Sequence, residues 1–101
     1  MLIVVATVTV MPGHRNEYIA LFKEKVPAVL KERGCIEYIP AIDTKTGLSF
    51  QDKNDNVVTI IEKWESLEDL KNHGSIEHMK ENWQKTKHLV VSQNFKFLEV
   101  A

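Results

Sequence analysis

A chain of 101 residues supplies one two-layer core and little more, so burying further apolar surface in an oligomer would add to its stability. Its net charge of -1 comes from interspersed acids and bases, which excludes the basic footprint of a nucleic-acid binder and the polybasic face of a membrane-surface protein. The single cysteine, Cys35, rules out an internal disulfide and fits a reducing cytoplasm.

Leu2 to Val10 (LIVVATVTV) reads as a first strand. Its apolar run, Met1 to Ala6, is far too short to span a membrane, and no positive segment precedes it, so no signal peptide is expected. The strand is apolar on both faces. Helices of the same chain can cover one face, and covering the other calls for a second subunit, so a homodimer is expected. Pro12 and Gly13 then turn the chain into a helix over 15–33, with Tyr18, Ile19, Phe22, Val26, Val29 and Leu30 on one stripe. Pro27 removes the hydrogen bond to the Lys23 carbonyl and should kink or break it. Gly34 is expected to end it as the residue after the C-cap.

Cys35 to Ile42 is expected as a second strand, placed at an edge or a bulge by Pro40, which cannot donate to a ladder. Cys35 itself reads as a small buried hydrophobe. A turn follows at Asp43 to Gly47, with a brief extension at Leu48 to Gln51. The acids and asparagines of DKNDN (Asp52 to Asn56) lack the glycine and terminal glutamate of a calcium loop and read as a solvated turn.

Val57 to Ile61 is a β-branched run that leads into Glu62 and Trp64, and alternation puts Val58, Ile60, Glu62 and Trp64 on one face. Glu62 then needs a cation such as Lys96 or Arg33, or serves to orient His73. Ser66 reads as a helix N-cap, its hydroxyl accepting from the Asp69 amide. Leu67, Leu70 and His73 follow at a spacing of three, which aims an imidazole inward with two leucines. Gly74 should interrupt this helix and Ser75 cap the next, whose buried side would hold Ile76, Met79, the Lys80 stem and Trp83. His78 lies five residues beyond His73, about 140° away on an unbroken helix, a poor spacing for zinc. A last strand is expected within Leu89 to Val100. The order βαββαβ points to an α+β, ferredoxin-like sandwich of an antiparallel sheet with two helices on one face, in a single domain spanning the chain.

The segments GCIEY (Gly34 to Tyr38), LSFQ (Leu48 to Gln51), EKWES (Glu62 to Ser66) and HGSIEHM (His73 to Met79), with KVPAVLKERGC before them, resemble the antibiotic biosynthesis monooxygenase family, and within it the bacterial quinol monooxygenases. The resemblance implies a dimeric α+β barrel with a pocket between the sheet and helices of each subunit. It implies oxidation of quinols or related aromatic diols by O₂ with no flavin, metal or other cofactor, a small aromatic substrate, and no nucleic-acid or membrane partner. The haem-degrading relatives carry an asparagine in the first strand, and LIVVATVTV has none, so haem turnover is disfavoured. The same scaffold also serves small proteins that bind or isomerise signalling sugars, which gives an alternative without redox chemistry.

A quinol can reduce O₂ once deprotonated, so the site needs a base, an apolar slot for a flat ring, and stabilisation of the phenolate. His73 is the candidate base, with a free pKa near neutral. Trp64 and Phe50 are candidates to sandwich the ring, Tyr38 to offer a hydroxyl, and Glu62, His78, Met79 and Trp83 to line the site. As core aromatics or a satisfied histidine these residues would need no ligand.

Overall fold

The computed structural model describes residues 1–101. Four strands, β1 (Leu2–Val10), β2 (Cys35–Ala41), β3 (Val57–Trp64) and β4 (Val90–Leu98), form one antiparallel sheet in the order β2-β3-β1-β4. The helices are α1 (Arg15–Lys23), α2 (Val26–Leu30), α3 (Leu67–Ser75) and α4 (Glu77–Thr86), with a 3₁₀ turn at Lys87–Leu89 before β4. This is the expected ferredoxin-like arrangement, with each of its two helical segments broken in two.

Both breaks have local causes. Pro27 sits in the first turn of α2, where its missing N–H costs nothing, and the chain between the helices closes through Lys25 N–H to the Phe22 carbonyl at 3.2 Å. The second break is not at Gly74. α3 runs on to Ser75, whose hydroxyl donates back to the Asn72 carbonyl, and extended Ile76 (ψ 143°) caps both helices. Ser66 caps α3 as expected, accepting from the Asp69 amide at 3.1 Å.

Burial alternates strictly along β1 and β3, with Val4, Ala6, Val8, Val10, Val58, Ile60, Glu62 and Trp64 all inside. The helices cover that face. Tyr18, Phe22 and Val29 pack onto it from α1 and α2, and Tyr38 joins from β2. The opposite face carries Ile3, Val5, Thr59, Ile61 and Ile39, half-buried or exposed within one subunit. β2 is an edge strand, which accommodates Pro40, and it carries a bulge between Cys35 and Glu37.

Several local expectations are corrected. Residues 48–51 add no strand. They lie in a loop folded on itself by polar side chains, with Thr46 Oγ1 donating to Gln51 Oε1 at 2.7 Å and the Asn54 amide to Asp43 Oδ2 at 2.7 Å. On α3 the buried positions are Asp69 and His73; Leu67 is exposed and Leu70 only half-buried. On α4 they are Asn82 and Thr86, because Asn82 Nδ2 donates to the Leu21 carbonyl at 2.8 Å and ties α4 to α1. Ile76 and Met79 are half-buried, while Lys80 and Trp83 are exposed.

Gly34 lies beyond the end of α2 and is left-handed (φ +79°), and its carbonyl accepts from the Glu65 amide at 2.8 Å. A Cβ there would run into the Asp69 carboxylate at the start of α3. Gly34→Ala should therefore cost at least about 1–2 kcal/mol of stability from backbone strain alone, with more from displacing α3. Thermal melting checks this, and an unchanged melting temperature would contradict it.

Candidate active site

α3 delivers His73 onto the inner face of the sheet, where it is 4% exposed. The chain leaving α2 brings Glu32 against it. His73 Nδ1 lies 2.9 Å from Glu32 Oε1 and 3.1 Å from Oε2, so the carboxylate accepts from the Nδ1–H and leaves Nε2 with its lone pair. Nε2 faces Glu62, whose Oε1 is 4.0 Å away, beyond hydrogen-bonding distance. Glu62 Oε1 instead accepts from Trp64 Nε1 at 2.9 Å, and the Trp64 indole packs against the imidazole with centroids 4.7 Å apart. Tyr38 also meets the imidazole, edge-on at 5.4 Å, and stacks on Phe22 at 5.4 Å. The ring is therefore held by two aromatic neighbours and by the Glu32 carboxylate.

These groups open on a cavity of about 520 Å³ between the sheet and the helices, a size suited to a small aromatic molecule. Val4, Ala6, Val8 and Ile60 form its floor, and Phe22, Tyr38, Leu70 and Met79 are among its walls. Trp83, Phe95 and Phe97 line it while remaining 42–58% exposed, which places them at its mouth. The polar groups that reach it include His73, Glu62 and Lys25.

Burial dominates the electrostatics. It holds His73 below the ordinary histidine pKa, although Glu32 pulls the other way through its charge and its hydrogen bond. Glu62 is pushed up by desolvation, with the Trp64 hydrogen bond and the charge of Lys25 opposing. Tyr38 is pushed well above the usual phenol range by burial and then by Glu62, so it stays a neutral hydroxyl, directed at Met79 Sδ 4.0 Å away. Desolvation also raises the half-buried Cys35 thiol to about 11, which makes it unreactive. A neutral, oriented imidazole facing an apolar cavity can accept a proton from a bound hydroxyl.

The profile of the family described as antibiotic biosynthesis monooxygenase matches residues 1–85. The chain belongs to the antibiotic biosynthesis monooxygenase family. An Escherichia coli K12 protein named probable quinol monooxygenase YgiN is 38% identical to it over 101 residues, covering 98% of this chain and 97% of its own length. Solved structures share the fold. A Methanosarcina mazei protein superposes with a TM-score of 0.84 at 24% identity, covering 99% of this chain and 92% of its own. A Pseudomonas aeruginosa protein gives 0.81 at 23%, covering 99% and 94%.

In this family member the residues singled out from sequence divide into three groups. His73, Glu62, Tyr38, Met79 and Trp83 all reach the cavity. Trp64 is fully buried behind His73 and Glu62 and lines no part of the cavity, so it positions those side chains and cannot stack on a ligand. Phe50 lies on the exposed 42–56 loop at 82% exposure, far from any sandwich with Trp64. His78 points away from the cavity; its Nε2 lies 2.6 Å from Glu32 Oε2, beside a polar recess on the helix side. Neither expected cation meets Glu62. Lys96 is opposite Val5 on the outer sheet face, and Arg33 is on the surface 3.6 Å from Asp69. Glu32 and Lys25 were missed, because Lys25 lies at the break between α1 and α2 and Glu32 in the turn after α2, where no periodicity marks them.

Proposed function

We propose that this family member is a cofactor-independent monooxygenase or oxidase of quinols or related aromatic diols, with His73 as the base. The observation that carries the proposal is the Glu32-anchored imidazole of His73, which lines a ring-sized apolar cavity and leaves its Nε2 free on the side of Glu62. The name of the relative at 38% identity supports the quinol class.

The bound quinol gives a hydroxyl proton to Nε2, and the resulting imidazolium is balanced by Glu32. The phenolate then passes electrons to O₂. With one oxygen retained, quinol and O₂ give a hydroxyquinone and water; with none retained, they give quinone and hydrogen peroxide. A hydroxyl of pKa about 10 and an imidazole of about 6.5 leave the proton transfer uphill by about 5 kcal/mol in water, which the site has to offset. An oxygen electrode tests the proposal: with menadiol, protein free of flavin and metal should consume O₂ faster than buffer. No acceleration with any of several reduced quinones would overturn it.

The base works only when unprotonated, and burial sets the folded pKa of His73 below the ordinary histidine value of about 6.5. The acid limb of kcat/KM is therefore expected below pH 6.5, and activity should be lost only as pH falls through that lowered value. A limb above pH 6.5 would exclude His73 as the group reported.

The outer sheet face supports a homodimer, with Ile3, Val5, Ile39 and Ile61 left without a covering layer. Light scattering at low micromolar concentration should give twice the chain mass. A folded, stable monomer would contradict this.

A further inference from the structure

Lys25 occupies the break between α1 and α2, and its ammonium is turned inward. Nζ lies 4.3 Å from the Phe22 ring centroid and 5.8 Å from that of Tyr38, the ring that His73 meets from another side at 5.4 Å. Lys25 lines the large cavity and also the polar recess of about 160 Å³ beside His78. The carboxylates of Glu62 and Glu32 are near enough to favour its charge, yet neither forms an ion pair with it: Glu62 is bound to Trp64, and Glu32 to the two imidazoles. An inward lysine with no ion pair, over a stacked pair of aromatic rings in a ring-sized cavity, has its charge available to a ligand.

We infer that Lys25 is the countercharge of the cavity, which selects an aromatic ring bearing an ionised hydroxyl, a phenolate or enolate, over the same ring in neutral form. The inference takes the ring class from the quinol reading above. It also supplies what that reading lacks. Proton transfer from a quinol to His73 creates one cation and one anion; Glu32 meets the cation, and Lys25 meets the anion. No other positively charged side chain lines the cavity except Lys71 on α3, which is exposed to solvent. Desolvation lowers the Lys25 pKa to about 8, so its charge is present at neutral pH and lost just above it. The groups that face or flank it are Glu62 on β3, Tyr38 on β2, His73 on α3 and Glu32 after α2, with Glu24, His78, Glu81 and Lys85 around the recess.

The test compares binding of 2-hydroxy-1,4-naphthoquinone, an acidic enol that is anionic at neutral pH, with binding of its neutral methyl ether, by calorimetry. Wild type should prefer the anion by roughly ten- to a hundredfold, the range of a hydrogen bond to a charged group. Lys25→Met should lose the preference and Lys25→Arg keep it. In wild type the preference should fade as pH rises through about 8, and in Lys25→Arg it should persist. Equal affinity for the two compounds in wild type, or a preference that survives Lys25→Met, would overturn the inference. If Lys25→Met does not fold, the arginine variant and the pH series decide alone. Because the assay needs no turnover, anion preference without O₂ uptake would retain this inference and remove the quinol oxidation; uptake without anion preference would do the reverse.

Discussion

Replacing His73 by alanine should reduce O₂ uptake with menadiol by roughly 10²- to 10⁴-fold, the contribution of a positioned base. The size of the effect follows from the geometry. Nδ1 is taken up by Glu32, which leaves Nε2, on the side of Glu62 at the cavity wall, as the free basic atom; the Glu62 carboxylate already accepts a hydrogen bond from Trp64. Glu32 keeps His78 as a partner in the variant, so the fold should survive, and thermal melting checks that first. A folded variant that keeps the wild-type rate would make His73 a packing residue and pass the role to Glu62. A variant that binds quinol normally and turns over slowly would place the side chain in the transition state.

Trp64→Ala should be the most destabilising single change. The indole is fully buried, packs against His73 and donates to Glu62, so its removal leaves a large void and an unpaired, desolvated carboxyl. Losses of roughly 3–5 kcal/mol are typical for truncating a buried tryptophan, enough to lower the melting temperature by at least about 10 °C in a domain of this size. Trp64→Phe separates the two contributions: it keeps most of the packing and removes the N–H. Calorimetric melting of the pair should show the phenylalanine variant between wild type and alanine. Equal melting of all three proteins would contradict the placement of Trp64.

The strands and their inner faces were legible because period-2 alternation is written plainly in Val4, Ala6, Val8 and in Val58, Ile60, Glu62, Trp64. The family resemblance and the strand order agreed with that pattern. His73 was legible as an inward imidazole from its spacing with Leu67 and Leu70, which line the cavity with it though only His73 of the three is buried; the burial of Asp69 under Gly34 was not legible. What could not be read was convergence across breaks. On an unbroken helix His73 and His78 would diverge; the extended Ile76 turns α4 so that both imidazoles reach the same carboxylate. Glu32 itself comes from a turn 41 residues before His73, and no local pattern links the two. Parity alone could have removed Lys96 as a partner for Glu62, since Phe95 and Phe97 line the cavity and Lys96 must face the other way.

Ionisation of a bound quinol by the carboxylate-held neutral imidazole can be measured without oxygen. Under anaerobic conditions at neutral pH, menadiol should show the red-shifted absorbance of its phenolate when wild-type protein is added, and it should remain neutral with His73→Ala at saturating protein. A quinol that binds and stays neutral in wild type, or ionises equally in the variant, would contradict the assignment of His73 as the base.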